Sequence, residues 1–199
     1  MKELNNEDRT RFTRHFSLSE IGLTGQLKLK NARVLVIGAG GLGSPLLVYL
    51  ADAGIGNIGI VDDDVVSTSN LQRQILYTSA EVGQKKVEIA AQKIKALYPG
   101  IEVQPFDTKL DESNAEELFQ QYDVIADCTD NYKTRQLIGL KSAALNKPLA
   151  FASILTYEGQ ISVFNYQNGS VSANLFTPTP TAGHINEDDI SRIGVYAVL

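Results

Sequence analysis

Cysteine is almost absent from this sequence of 199 residues, in which Cys128 is the only one. A single thiol cannot form a disulfide within the chain, and it cannot supply the several cysteines of a structural zinc site. Histidine is also scarce, because only His15 and His184 occur, and neither has the spacing of a metal ligand or of a triad member. We therefore predict no disulfide and no cysteine-based zinc site within this chain, and we assign no catalytic role to either histidine.

Long apolar runs and an excess of basic residues are missing as well. No run reaches the roughly 18 apolar residues of a membrane-spanning helix, and the first residues, MKELNNEDRTRF, lack the apolar core of a signal peptide. The formal net charge of −5 argues against nucleic acid or an anionic membrane as the main binding partner. We therefore expect a cytoplasmic protein that binds neither.

The central part of the chain alternates strand-like and helix-like segments. Strands are predicted over RVLVIG, NIGIVD, IEVQPF, DVIADC and PLAFAS, and helices over about 42–53, 83–97, 113–121 and 132–145. This alternation predicts right-handed crossovers and a largely parallel sheet covered on both faces. The segment EGQISVFNYQNGS then predicts an antiparallel strand or hairpin. The predicted fold class is α/β, a Rossmann-like doubly wound, mainly parallel sheet with antiparallel strands added toward the C-terminus.

The same pattern divides the chain into three regions. Residues 1–30 are predicted to form an N-terminal helical segment, because apolar residues recur there among basic ones. Residues 31–165 are predicted to form a nucleotide-binding domain. Residues 166–189 lack periodicity and are rich in proline, glycine and acidic residues, which is typical of a loop. The apolar segment IGVYAVL begins a new element just before the sequence stops, so we expect residues 166–199 to end in an incomplete C-terminal part.

A glycine-rich turn follows the first predicted strand, in the segment VLVIGAGGLGS. Gly38, Gly40 and Gly43 have the G-x-G-x-x-G spacing, which lets a backbone turn sharply, approach a phosphate closely and pack a helix against the sheet. The spacing alone suits a dinucleotide such as NAD, another nucleotide phosphate, or a turn that only joins a strand to a helix. The residues around the turn are needed to distinguish between these three interpretations.

Charged and polar residues follow the second predicted strand. Asp62 ends that strand at a distance from the glycines that suits a carboxylate binding ribose hydroxyls, although a solvated acidic turn would look the same. Asn70, Arg73 and Lys86 would add hydrogen-bond donors and two positive charges, which is more than a pyrophosphate held by backbone amides requires. A triphosphate under attack does require them. Taken alone, Lys86 is also consistent with a solvated lysine on a helix.

Two further residues follow the fourth predicted strand, in the segment DCTDN. Asp130 is a candidate ligand for Mg²⁺, since this ion commonly takes one or two carboxylates together with phosphate oxygens. The alternative is that Asp130 caps the next helix. Cys128 is flanked by apolar strand residues, and we therefore predict a small buried side chain rather than a nucleophile.

Together these segments resemble the E1-like activating enzymes, the family of MoeB, ThiF and HesA proteins and of the adenylation domains of ubiquitin E1. The similar segments follow the family's order over almost all of residues 11–165, and they read RFTRHF, GAGGLGS, DDDVVSTSNLQRQ, VGQKKVE, DCTDN and YEGQISVF. The resemblance implies an adenylyltransferase that uses ATP and Mg²⁺, with residues 31–165 as its adenylation domain and a crossover loop after it. The implied substrate is a ubiquitin-like sulfur carrier of the MoaD or ThiS type, whose Gly-Gly carboxylate attacks the α-phosphate and releases pyrophosphate.

The resemblance also implies roles for individual residues. Gly41 contacts ATP, while the ribose, the phosphates and Mg²⁺ are held by the residues that the spacing already selects. Arg14 is similar to the family arginine that reaches into the partner subunit's ATP site, which implies a homodimer. The implied catalytic residues are Arg14, Arg73, Lys86 and Asp130, the last also being the metal ligand. The implied nucleotide-binding residues are Gly38, Gly40, Gly41, Gly43, Asp62, Asp64, Ser69, Asn70, Leu71, Gln72, Arg73, Lys86, Asp130 and Asn131.

The sequence departs from the family pattern in two places. Many members carry C-x-x-C pairs for structural zinc, one of them in the region where this chain reads GSVSANLF. Ile190 stands where many members have the crossover-loop cysteine, so we assign no sulfur transfer to this chain. Three alternatives to carrier adenylation stay open: activation of a small-molecule or tRNA carboxylate, an NAD-binding oxidoreductase, and a noncatalytic nucleotide-binding or scaffold protein.

Overall fold

A six-stranded sheet forms the centre of the computed structural model, which describes residues 2–155, 157–167 and 169–172. Its strands are β1 (Arg33–Ile37), β2 (Asn57–Val61), β3 (Glu102–Phe106), β4 (Val124–Asp127), β5 (Leu149–Leu155) and β6 (Glu158–Phe164). They lie in the order β3-β2-β1-β4-β5-β6. All neighbours are parallel except β5 and β6, which are antiparallel. The predicted fold class is therefore confirmed.

The described part of the chain has seven α-helices. They are α1 (Asn6–Arg11), α2 (Thr13–Phe16), α3 (Gly22–Asn31), α4 (Gly43–Asp52), α5 (Lys86–Leu97), α6 (Ala115–Gln120) and α7 (Tyr132–Ala144). The predicted start of α5 at residue 83 is wrong. Residues 83–85 instead pair with residues 65–66, because Gly83 and Val66 exchange backbone hydrogen bonds with the opposite segment and Val65 forms an antiparallel bridge with Lys85.

The sheet is buried on both faces because alternate residues of its central strand enter different clusters. Val34 and Val36 of β1 belong to the cluster beneath α4 and α5, whereas Leu35 and Ile37 belong to the cluster beneath α6 and α7. The chain leaves β1 toward β2 and β3 on one side, and it later adds β4 and β5 on the other side. A parallel sheet of this order has a switch point between β1 and β4, where a cleft opens at the carboxyl ends of the strands.

The three N-terminal helices pack onto the first of these clusters. Phe12 is only 2% exposed and contacts the ring of Tyr98, which follows α5, at a centroid distance of 5.6 Å. Asp8 and Lys30 form a buried ion pair between α1 and α3. The helical character predicted for residues 1–30 thus agrees with α1, α2 and α3, while the domain boundaries remain predictions.

Several sequence-based predictions lie outside the described residues. They concern most of the crossover loop, the segment IGVYAVL, His184 and Ile190. Within the described ranges, no helix combines the length and the apolar character needed to cross a lipid bilayer.

Candidate nucleotide-binding site

A cavity of about 450 Å³, the central cavity, lies where β1, β2 and β4 end. Its wall includes Ile37, Val61 and Cys128, which mark the carboxyl ends of these three strands. Ten residues of the predicted nucleotide-binding set line it: Gly38, Gly40, Gly41, Asp62, Asp64, Asn70, Arg73, Lys86, Asp130 and Asn131. The sheet topology therefore brings together segments that are far apart in the sequence, at the position where open parallel sheets bind ligands.

Two positions of the turn after β1 must be glycine, because other backbone atoms lie where a Cβ atom would stand. Gly38 has a φ of 92°, and a Cβ atom there would lie 2.8 Å from the carbonyl oxygen of Cys128. A Cβ atom on Gly43 would lie 1.9 Å from the carbonyl oxygen of Gly38. Gly43 does not line the cavity, so the structure gives it a packing role between the turn and the start of α4.

The other two glycines of the turn leave the backbone open to the cavity. A Cβ atom on Gly40 would approach only the side chain of Gln74, at 3.4 Å, and one on Gly41 only the side chain of Arg73, at 3.5 Å. Among the described residues, the nearest atoms to both positions are side-chain atoms and not backbone. Bare backbone of this kind allows a phosphate to approach the peptide groups closely.

Asp62 fastens the glycine turn to the end of β2. One carboxylate oxygen accepts a hydrogen bond from Ala39 N at 2.7 Å, and the other accepts one from Asp64 N at 2.9 Å. Burial raises the pKa of Asp62, and the nearby Lys86 cation opposes that rise. The alternative of a solvated acidic turn is wrong. Each oxygen keeps a second lone pair, so the carboxylate can also accept a ribose hydroxyl.

Lys86 is a buried cation rather than a solvated helix lysine. The residue is 3% exposed, and its Nζ atom lies 2.7 Å from a carboxylate oxygen of Asp64. Its backbone N–H also donates to the Asp64 carbonyl, at 3.1 Å. Asp64 itself is largely exposed, and it therefore holds the ammonium group at the cavity wall without enclosing it.

Asp130 lines the cavity without capping a helix. The N-cap of α7 is Asn131, whose side chain accepts a hydrogen bond from Thr134 N at 2.9 Å, so the capping alternative for Asp130 is wrong. The described residues contain no cluster of three or more histidine, cysteine or acidic side chains that would hold a metal alone. A metal at Asp130 would consequently need phosphate oxygens as additional ligands, which is the usual situation for Mg²⁺.

The turn that carries Asp130 is fixed by buried hydrogen bonds. Asp127 is 1% exposed, and one of its oxygens accepts hydrogen bonds from Thr129 N at 2.9 Å and Thr129 Oγ1 at 2.7 Å. The carbonyl of Thr129 accepts from Arg135 Nε at 3.1 Å and also from Arg135 Nη2. The Arg135 guanidinium lies over the Phe151 ring, 5.4 Å from its centroid. These contacts fix the backbone immediately before Asp130.

Replacing Asp127 with asparagine is expected to stabilise the fold at neutral pH by about 1 kcal/mol. Burial raises the pKa of Asp127, and its second carboxylate oxygen has no hydrogen-bond partner among the described residues, so the ionised form is costly. The cost is fully present above the raised pKa and disappears below the ordinary value of 3.8. Urea unfolding at several pH values should therefore show a gain that shrinks toward pH 4. A gain that does not depend on pH would contradict this explanation.

Some residues of the predicted set lie outside the cavity wall. Ser69 and Gln72 contact each other, since Gln72 Nε2 donates to the Ser69 carbonyl at 3.2 Å. Leu71 packs against the hydrophobic core. These three shape the turn that carries Asn70 and Arg73. Arg14 is exposed on α2 and does not line the cavity of its own chain.

The structure adds cavity residues that the sequence did not select. Thr108, Lys109 and Leu110 follow β3, and the rule that selected Asp62, namely position after a strand, would have found them. Gln74 is the last residue of the segment DDDVVSTSNLQRQ but was not selected because it is uncharged, and Arg135 lies outside the segments that resemble the family. The predicted burial of the Cys128 side chain is confirmed, and burial raises its pKa to about 12.

The class of protein is a nucleotide-binding protein with a Rossmann-like fold. It is defined by the sheet order, by the glycine turn and by the cations Arg73 and Lys86 in the cavity wall. The profile of the ThiF family matches residues 12–195, and the chain belongs to this family. The resemblance to E1-like proteins inferred from the motifs is thereby confirmed.

Known proteins similar to this chain agree with that placement. A probable molybdopterin-synthase adenylyltransferase of Porphyra purpurea is 46% identical over 193 residues, which are 97% of this chain and 50% of the relative. The adenylyltransferase and sulfurtransferase UBA4 of Kluyveromyces lactis is 53% identical over 161 residues, 81% of this chain and 36% of the relative. The chain thus spans half or less of the length of these curated relatives.

Solved structures are similar as well. The E. coli tRNA N6-threonylcarbamoyladenosine dehydratase TcdA, in complex with ATP, has a TM-score of 0.74 and 25% identity, and the match covers 79% of this chain and 64% of that chain. The enzyme class expected from the motifs, adenylyltransferase, is the one named for the curated relatives.

Proposed function

We propose that this chain catalyses the ATP-dependent adenylation of a ubiquitin-like sulfur-carrier protein. The C-terminal glycine carboxylate of the carrier attacks the α-phosphate of ATP, a carboxyl-adenylate forms and pyrophosphate leaves. The observation that carries the proposal is the meeting of the Lys86 ammonium, the Arg73 guanidinium and the Asp130 carboxylate around an open glycine turn. The names of the curated relatives support an adenylyltransferase, and the ATP complex of TcdA supports ATP as the nucleotide.

The two cations favour a triphosphate over a dinucleotide. The pyrophosphate of NAD is satisfied by backbone amides and a helix N-terminus. A triphosphate under attack carries more charge, and further charge develops on the departing pyrophosphate. Lys86 is buried at the cavity wall, where weak solvent screening strengthens its interaction with that charge. Arg73 is half-buried at the same cavity wall, and its Nη1 atom donates to the Ser69 carbonyl at 3.4 Å.

The reaction needs little acid or base chemistry from the protein. A C-terminal carboxyl group has a pKa of about 3.5 and is already ionised at neutral pH. The chain therefore contributes orientation and charge neutralisation. In this proposal Asp62 accepts a ribose hydroxyl, and Asp130 would hold Mg²⁺, which would neutralise charge on the phosphate oxygens; both residues line the central cavity.

We further propose a cytoplasmic homodimer in which Arg14 completes the partner's site. Arg14 is exposed on a helix that packs beside the core, and it lies away from the cavity of its own chain. An arginine so placed is free to contact a second subunit. The family resemblance supports this assignment and supplies the Gly-Gly carrier as the macromolecular partner.

Exchange of radiolabelled pyrophosphate into ATP tests the proposed function. We expect exchange that requires a Gly-Gly carrier, beginning with a molybdopterin-synthase carrier because of the relatives' names. A carrier that lacks its last two glycines should give none. Arg73→Ala and Asp130→Ala should each reduce exchange by about a hundredfold. Carrier-independent exchange, or no exchange with any Gly-Gly carrier of the same cell, would contradict the proposal.

A second candidate is activation of a carboxylate on tRNA or on a small molecule. The observation that favours it is the similarity to TcdA, whose name describes an enzyme of tRNA N6-threonylcarbamoyladenosine. Exchange that depends on the tRNA carboxylate, and not on a carrier protein, would support this alternative. Analysis of the adenylated product identifies the acceptor directly.

A further inference from the structure

Gln74 is a buried amide that the fold does not use. The residue is 3% exposed and lines the central cavity. Its Oε1 atom is buried and has no hydrogen-bond partner among residues 2–155, 157–167 and 169–172. Buried side-chain polar atoms are nearly always paired in native structures. Because no partner holds the oxygen, the amide is available to turn its Nε2 donor toward a ligand in the cavity.

The backbone of Gln74 is held firmly although its amide is not. Gln74 N donates to the Asn70 carbonyl at 3.0 Å, and the Gln74 carbonyl accepts from Tyr77 N at 3.1 Å. Tyr77 in turn donates its hydroxyl to the Ala39 carbonyl at 2.8 Å, within the glycine turn. These hydrogen bonds fix the backbone of Gln74 relative to the glycine turn, and the side chain of Gln74 faces that turn.

Two consecutive side chains face two consecutive glycines. Gln74 Nε2 lies 3.4 Å from the position of a Cβ atom on Gly40, and Arg73 Nε lies 3.5 Å from that of a Cβ atom on Gly41. A phosphate group resting on this stretch of backbone comes within reach of both side chains. Arg73 supplies a positive charge, and Gln74 supplies a neutral N–H donor from a buried position.

We propose that Gln74 donates a hydrogen bond from Nε2 to the α-phosphate group of the bound nucleotide, and so acts as a further catalytic residue. This inference rests on the proposed function, because it takes the central cavity as the nucleotide site. A neutral donor stabilises the charge that develops on an α-phosphate oxygen during attack. It adds no third cation that would retain the departing pyrophosphate.

Binding of AMP and of adenosine isolates this hydrogen bond, because the two ligands differ only in the α-phosphate. The ratio of their dissociation constants is measured by calorimetry for the wild-type chain and for Gln74→Met, which has a similar length and no donor. We expect the preference for AMP to fall about tenfold in Gln74→Met, with adenosine affinity nearly unchanged. Gln74→Glu has the same shape and adds a negative charge, and it should lower the preference by about a hundredfold.

Gln84→Met is the matched control. Gln84 is exposed, lies outside the cavity and donates to the Ala80 carbonyl at 3.3 Å, so its replacement should leave the ratio within about twofold. Partial misfolding lowers the binding-competent fraction for both ligands equally and leaves their ratio unchanged. An unchanged ratio in both Gln74 variants would overturn the proposal. So would a wild-type chain that does not prefer AMP to adenosine.

The measurement separates this inference from the proposed function. If the wild-type chain shows no carrier-dependent exchange but Gln74→Met loses its preference for AMP, adenylation of a carrier is wrong and the phosphate contact stands. If exchange occurs and the ratio does not change, the assignment of Gln74 is wrong and the proposed function stands.

Discussion

Replacing Lys86 with methionine is expected to lower carrier-dependent ATP–pyrophosphate exchange by about a hundredfold or more. Methionine has a comparable length and suits a buried position, since Lys86 is 3% exposed at the first residue of α5. The substitution therefore removes the ammonium group while the packing is kept. A cation held at a poorly solvated wall stabilises developing phosphate charge more strongly than an exposed one, which is the reason for the size of the effect.

Lys85→Met is the matched control for this experiment. Lys85 is the preceding residue, is exposed, and has its Nζ atom 3.1 Å from a carboxylate oxygen of Asp107, outside the central cavity. We expect Lys85→Met to retain exchange within about twofold, because exposed pairs contribute little. Exchange by Lys86→Met at the wild-type rate, with unfolding unchanged, would show that Lys86 does not act on the phosphates.

Asp64→Asn tests how Lys86 is held. Asp64 contacts the Lys86 ammonium at 2.7 Å from a largely exposed position. The substitution leaves the cation in place and removes the charged partner that orients it. We therefore expect the exchange rate to fall about tenfold, which is less than in Lys86→Met. The double variant Asp64→Asn with Lys86→Met should exchange no more slowly than Lys86→Met alone.

The fold could be predicted from the sequence because its signals are local. Strand and helix segments differ in period and length, and the glycine spacing marks the first strand-to-helix turn. The order of the sheet follows from right-handed crossovers. The start of α5 could not be predicted in the same way, since it depends on the pairing of residues 65–66 with residues 83–85. That pairing joins two segments that look irregular when each is taken alone.

The candidate site could be predicted only in part, for the same reason. Residues after strands were found by position, as Asp62 and Asp130 show, whereas burial depends on contacts between distant segments. Lys86 looks like any helix lysine until Asp64 is brought beside it. Asp130 and Asn131 are both good capping residues, and only the register of α7 decides that Asn131 is the cap. Gln74 ends the segment DDDVVSTSNLQRQ but is uncharged, and its burial and unpaired Oε1 atom follow only from the folded structure.

The second large effect is expected from Asp8→Ala, which should destabilise the fold by about 3–5 kcal/mol. Asp8 and Lys30 are 1% and 6% exposed and form an ion pair, and Tyr98 Oη donates to Asp8 at 2.5 Å. Removing the carboxylate leaves the Lys30 ammonium buried without a partner. Urea unfolding measures the loss. The exposed pair of Arg11 and Asp52, at 3.0 Å, is the control, and Asp52→Ala should cost about 1 kcal/mol or less.

The stability contributed by Asp8 should depend on pH in a defined direction. Burial acts to raise the pKa of Asp8, but hydrogen bonds from Lys30, Tyr98 and Asn5 outweigh it, so the pKa lies below the ordinary 3.8. The contribution is therefore complete above that value and is lost as the pH falls through the lowered pKa. The difference in the free energy of unfolding between wild type and Asp8→Ala should be constant from pH 8 to pH 5. It should become smaller in stronger acid.

The double variant Asp8→Leu with Lys30→Met separates charge from packing in this segment. Replacing both members of a buried pair by apolar residues removes the desolvation cost of both, so most of the stability lost in Asp8→Ala should return. The same variant tests the role of the N-terminal helices. Phe12 joins α1 to α2 and is buried against Tyr98, so α2 and its exposed Arg14 should keep their position. If Arg14 acts in a partner's site, Asp8→Ala should lower exchange because it loosens the N-terminal helices, and the double variant should restore both stability and exchange. A double variant that is stable but does not exchange would show that Arg14 is positioned by the ion pair and not by the packing of Phe12.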